Sequence, residues 1–163
     1  MGINKILLLG NPKLYEVSDT VKKKEIPNIP NIIEELHQAL MEFRSKYSNG
    51  RAISAPQIGI LKRIIYMNID KPVVFINPVL FDLSQEQFEI WDDCMSFPDI
   101  LVRVKRHKSC KMRYLDENWK ENTIVLQDSL SELIQHEYDH LNGILSTMIA
   151  VDKKSFRLKA NQI

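Results

Sequence analysis

His136 and His140 stand four residues apart, with Glu137 directly after the first, in the stretch His136-Glu137-Tyr138-Asp139-His140. On a helix that spacing sets both imidazoles on one face, one turn apart, within reach of a single divalent cation. A carboxylate beside two such ligands is the signature of metal-assisted hydrolysis, in which the acid moves a proton to or from water. Two ordinary histidines on a surface helix are the alternative reading of the same residues. The position of Glu137 weighs against it, because Glu137 continues the apolar stripe of Leu133, Ile134 and Leu141, where an unpaired carboxylate is costly to bury. Water at a metal ion, or an adjacent cation, would resolve that cost. Asp139 reads as a supporting or solvated residue rather than a ligand.

A third ligand has to come from elsewhere. The 23 residues after His140 contain no His or Glu, and Asp152 is their sole acid. Cys94, in the loop-like stretch 91–98, is chemically better placed: two imidazoles and one thiolate complete three positions and leave a fourth open to water. Standing alone, Cys94 would read as a buried structural thiol.

These groups need elements to hold them. Apolar residues at Ile32, Ile33, Leu36, Leu40, Phe43 and Tyr47 predict an amphipathic helix over 31–47, capped by Asn31 with Glu34 and stopped by Asn49-Gly50. A second helix is expected over 129–141, with Leu130, Leu133, Ile134 and Leu141 as its core stripe and Asn142-Gly143 at its end. Between them, β-rich runs at 64–67, 73–76, 102–104, 110–115 and 123–126 are separated by polar or Pro-containing turns. The pattern predicts an α+β fold with mostly antiparallel sheets, in one domain spanning 1–163.

Composition narrows the class further. A net charge of +1 gives no reason to expect a nucleic-acid or membrane partner, and the scattered aromatics form no stacking motif. Lys22, Lys23 and Lys24 read as a solvated loop. The two cysteines, Cys94 and Cys110, are too few for a disulfide framework and fit a reduced, cytoplasmic protein. The apolar run 6–9 is too short for a signal-peptide core, and no stretch approaches the roughly 18 apolar residues of a membrane span. His37 and His107 read as structural or solvated, and Cys110 as core.

Three segments, in this order and at these separations, resemble the peptide deformylase family, metallohydrolases that remove the N-formyl group from newly made proteins. They are Gly50-Arg51-Ala52-Ile53-Ser54-Ala55-Pro56-Gln57 with Ile58-Gly59, then Asp92-Asp93-Cys94-Met95-Ser96, then the His136–His140 stretch with Leu141 and Gly143. Weaker similarity at Asn11-Pro12 and over 75–78 extends the resemblance along most of the chain. It implies a deformylase-like fold, with the sheets packed around a central C-terminal helix. It also implies that Cys94, His136 and His140 bind one divalent metal, most often Fe2+, with Zn2+, Ni2+ or Co2+ as substitutes. Glu137 would then be the general base and acid, and the Gln57 side-chain amide and the Met95 backbone N–H the oxyanion donors. Substrates would be formylated peptides, ribosome-associated nascent chains among them, or another formylated amine, handled by a monomer.

The resemblance is incomplete around the site. The family's second motif reads Glu-Gly-Cys-Leu-Ser, so Asp92 replaces Glu and Asp93 replaces Gly; Asp92 is expected to pair with Arg106 across a longer gap. Ala52 stands at a family Gly, and Leu101 where the family has an Arg near the substrate. The pocket implied by the family falls on Arg51, Ala52, Ile53, Asp92, Ser129, Glu132 and Leu133. Arg51, Ser129 and Glu132 are polar where the family uses apolar residues around a Met side chain, which predicts a polar pocket with Arg51 facing Glu132. Ser129 and Glu132 equally make an S-x-x-E capping box at the expected helix start. Three functions stay open at this point: deformylation of formyl-methionine peptides, hydrolysis of another formylated or acylated amine, and a weakly active metal-binding relative. A true peptidase is disfavoured by the missing downstream ligand.

Overall fold

The first helix, α1, runs Ile29–Tyr47 and starts two residues before the predicted 31. Pro30 in its first turn has a φ already suited to a helix and no N–H to leave unpaired. Ile29, Ile32, Leu36, Ala39, Leu40 and Phe43 bury one continuous face. The Asn31–Glu34 cap does not form, since Asn31 lies inside the first turn and its amide donates to Asn28 Oδ1 at 3.2 Å. The helix ends at Ser48, whose left-handed φ of 57° turns the chain before Asn49-Gly50 is reached. The computed structural model describes residues 5–161.

Eight antiparallel strands follow among the described residues. A five-stranded sheet has the order β1 (Ala52–Ser54), β2 (Ile64–Asn68), β3 (Pro72–Phe81), β6 (Ser109–Leu115), β7 (Glu121–Gln127). A three-stranded sheet has the order β4 (Gln87–Asp92), β5 (Ile100–His107), β8 (Phe156–Leu158). The five β-rich runs became β2, β3, β5, β6 and β7; β1, β4 and β8 were not anticipated. The Lys22–Lys24 run is exposed as expected, although Lys23–Asn28 forms a 3-10 turn rather than a loop.

Helix α2 (Asp128–Leu141) packs against β1, β2, β6 and β7 of the large sheet and against β5 of the small one, so it sits between the two. Ile65, Phe75, Cys110, Met112 and Leu126 close over Ile134 and Leu141. Leu130, expected in this stripe, is 37% exposed instead. The helix ends as predicted. Gly143 takes φ 70°, and a Cβ there would lie 2.5 Å from the Tyr15 carbonyl oxygen, so the N-terminal segment can cross the helix end only over a glycine. No helix among the described residues is long and apolar enough to cross a membrane.

Candidate metal and catalytic site

β4 delivers the first component. Trp91 and Asp92 close this strand rather than belonging to a loop, and the chain turns only from Asp93 onward, leaving Cys94 at the foot of the small sheet. α2 delivers the other two. The ligand atoms of Cys94, His136 and His140 all lie within 4.8 Å of one another, and all three residues are buried. His140 Nε2 is 3.2 Å from His136 Nε2 and 3.3 Å from Cys94 Sγ. Around an ion with nitrogen arms of about 2.1 Å, tetrahedral neighbours stand roughly 3.4 Å apart, so this donor set fits a metal of the Zn2+ or Fe2+ type.

The second ring nitrogen of His136 is held from behind. Its Nδ1 is 2.7 Å from Asp92 Oδ2, which also accepts from the Ser146 hydroxyl at 2.6 Å and from Arg106 Nη2 at 3.2 Å. Arg106 Nη1 donates to Asp139 Oδ2 at 2.5 Å, which makes Asp139 a support rather than a ligand. A carboxylate on Nδ1 fixes the ring's orientation and keeps Nε2 available as a donor of electrons to a metal. Burial penalises the Asp92 charge, but His136, Arg106 and Ser146 outweigh it and hold this carboxyl well below the usual carboxylate range. Burial likewise opposes a charge on His136, and Asp92 and Cys94 override it, raising that imidazole; His140 is pushed well down by burial and by His136. Two facing Nε2 atoms this close cannot both carry protons. The pair therefore favours at most one proton between them, an arrangement a cation can replace.

Glu137 lies on the same helix and is buried. Its Oε2 accepts from the Ser54 hydroxyl at 2.5 Å, and burial raises its pKa, opposed by His136 and Ser54. Ser54 also supports the next component: its backbone N–H donates to Gln57 Oε1 at 2.9 Å, fixing the amide so that Gln57 Nε2 points to Ser96 Oγ (3.3 Å) and Cys94 Sγ (3.5 Å). Gln57 itself sits in the 3-10 turn Ala55–Ile58 and is 1% exposed. Ser54 and Ser146 were missed as site residues. A signal existed for Ser54, because Ser54-x-x-Gln57 is a capping-box pattern that ties the two positions together; Ser146, ten residues past His136, carries none.

A cavity of about 440 Å³ opens at this point, with Gln57, Cys94, His136 and Glu137 at its chemical end. Comparison with known proteins interprets it. The family model described as polypeptide deformylase matches residues 3–156. The chain belongs to this family.

Among curated relatives, the peptide deformylase of Pseudothermotoga lettingae is 33% identical over 162 residues, covering 99% of this chain and 91% of its own. That of Borreliella burgdorferi is 36% identical over 128 residues, 77% of either chain. Among solved structures, the Thermotoga maritima peptide deformylase superposes with a TM-score of 0.82 at 29% identity, covering 90% of this chain and 97% of the other. The Synechococcus elongatus enzyme in complex with actinonin gives 0.83 at 27% identity, covering 91% and 79%.

In this deformylase family member the pocket expected from the sequence is partly realised. Arg51, Ala52, Asp92, Glu132 and Leu133 do line the cavity, with Met95. Ile53 does not: it is fully buried on the other side of β1, against α1. Ser129 does not either, being exposed in the first turn of α2. The capping box is also absent, because the helix begins from Gln127 and Glu132 turns to Arg51 Nη2 at 2.6 Å. Asp92 reaches Arg106 despite its shorter side chain. Ala52 and Asp93, at two family glycines, both have ordinary negative-φ backbone. Neither position requires glycine here, and Asp93 instead takes the Asn49 amide and Lys159 ammonium at 3.3 Å each.

Proposed function

We propose that this protein hydrolyses N-formyl amides at peptide amino termini, with Cys94, His136 and His140 holding one divalent metal, Fe2+ first and Zn2+, Ni2+ or Co2+ as substitutes. The observation that carries the reading is the convergence of a buried base, Glu137, and a fixed amide donor, Gln57, on one three-ligand cluster. When bound, such a metal supplies Lewis acidity, polarising a carbonyl and letting water ionise near neutral pH.

The chain's own residues do the rest. Glu137 Oε2, raised by burial and steadied by Ser54, takes a proton from the attacking water and returns it to the departing amine nitrogen. Gln57 Nε2 lies at hydrogen-bonding distance from Cys94 Sγ, so a carbonyl oxygen drawn to the same point receives that donor as negative charge develops. The Met95 N–H meets no acceptor among the described residues and supplies the second donor. Asp92 and Arg106 keep His136 aimed throughout. Formylated peptides are the proposed substrates.

The test is deformylation kinetics on anaerobically purified, iron-loaded protein with formyl-peptides, against Glu137→Ala. Turnover that disappears in the variant while its metal content stays equal is the expected result. Metal-loaded native protein that deformylates none of the peptides would sink the proposal.

A further inference from the structure

Glu132 precedes His136 by one turn of α2, so the two side chains leave the helix on one face with Cβ atoms about 5–6 Å apart. Its side chain is only 10% exposed, and burial raises its pKa, with Arg51 opposing. Arg51 comes from the residue before β1, across the cavity from α2, and its Nη2 meets Glu132 Oε1 at 2.6 Å. The ion pair thus spans the two elements that flank the chemical end. Leu133 and Ala52 line the same stretch of wall.

A single hydrogen bond between the two groups leaves bonding capacity unused. Glu132 has a second oxygen, Arg51 has further N–H donors with a side chain 42% exposed, and among the described residues neither side chain makes another hydrogen bond or ion pair. A substrate whose formyl group is at the metal ligands and whose chain leaves through the cavity sets its first side chain against this wall. An apolar side chain there covers both charged groups and returns no hydrogen bond, which costs affinity. A charged one satisfies one partner and repels the other. A neutral side chain carrying both a donor and an acceptor satisfies both, the donor toward Glu132 and the acceptor toward Arg51.

We infer that the Arg51–Glu132 pair makes this site selective for formyl-peptides whose first side chain is a neutral hydrogen-bonding group of about methionine's length, with a carboxamide as the best fit. The inference rests on the deformylase reading for the reaction and adds the side chain it accepts. Glutamine, methionine and norleucine have nearly the same length, so comparing them isolates hydrogen bonding from size.

The experiment measures two quantities on the metal-loaded protein. Calorimetry gives the affinity for the unformylated product peptides Gln-Ala-Ser, Met-Ala-Ser and norleucine-Ala-Ser, and kcat/KM is measured on their formylated forms. The expected result is a preference for the glutamine peptide over norleucine of about tenfold or more in both, the worth of one well-made hydrogen bond. In the double variant Arg51→Ile with Glu132→Leu, the ranking is expected to reverse in favour of norleucine and methionine. If the double variant does not fold, Arg51→Met and Glu132→Gln taken singly must each shrink the glutamine preference. Equal or tighter binding of norleucine by the native protein overturns the inference, as does a ranking that the substitutions leave unchanged. Absence of turnover on every formyl-peptide would count against the deformylase reading alone, because the product affinities still decide the side-chain preference.

Discussion

Replacing Ser54 by Ala removes one oxygen from behind the proposed base, a hydroxyl that also reaches the Glu137 backbone oxygen at 3.0 Å. The Ser54 hydroxyl donates to Glu137 Oε2 at 2.5 Å, while the bond that fixes Gln57 comes from the Ser54 backbone and survives the substitution. A hydrogen bond to a buried charged group is worth about 1.5–3 kcal/mol. It favours the ionised carboxylate, so its loss raises the pKa of Glu137 further above the range to which burial has already lifted it. The acidic limb of kcat/KM, which reports the base in the free enzyme, therefore moves to higher pH. At a pH below the original limb, the loss of rate is roughly 10- to 150-fold, since each 1.36 kcal/mol is a factor of ten in the ionised fraction. Well above the limb the two proteins converge. The assay is a pH profile of deformylation with formyl-peptide, at matched metal content. An acidic limb that stays in place in Ser54→Ala would refute the argument, as would an equal loss at every pH, which would mean that the hydroxyl acts on something other than protonation.

Three further outcomes follow from the same geometry. Asp92→Asn removes the carboxylate that orients His136 and is expected to weaken metal binding about 10- to 100-fold, measured by competition with a chelator of known affinity. Glu137→Gln is expected to stabilise the metal-free protein at pH 8 and not at pH 4. A carboxyl raised by burial is protonated in both folded and unfolded states at low pH, and its stability cost grows as pH rises from its unfolded pKa to its folded one and is complete above that; each kcal/mol recovered raises Tm by about 2–4 °C in a scanning-calorimetry comparison. Cys110, buried beside Ser131 and with a thiol pushed up by burial, is expected to resist a thiol reagent until the protein is unfolded.

The chemistry was legible in the sequence because it is local. Helical spacing fixes His136, Glu137 and His140 relative to one another, and the absence of a downstream ligand directed attention to Cys94. Longer helices and strands with apolar periodicity were also readable. β1 and β8 have three residues each, too few to show a period, and β4 sets Phe88, Ile90 and Trp91 among Gln87, Glu89 and Asp92, which gave no clear run. The Ser129–Glu132 pair shows the limit of local pattern. Its spacing is right for a cap, but a tertiary partner, Arg51, takes the carboxylate, and which of the two wins depends on where β1 lies. Ile53 was misplaced for a similar reason: alternation along a strand sends neighbours to opposite faces, so Ala52 and Ile53 cannot both line the cavity.

The position of the proposed ligands along the chain has a consequence for biogenesis. Cys94 lies just past the middle of the sequence, both histidines come from its last third, and β8, which completes the small sheet, closes on β5 only from residue 156. The three proposed ligands cannot come together before His140 has been made. A molecule whose proposed work is on unfinished proteins is therefore itself inert until His140 has been made and α2 has packed between the two sheets.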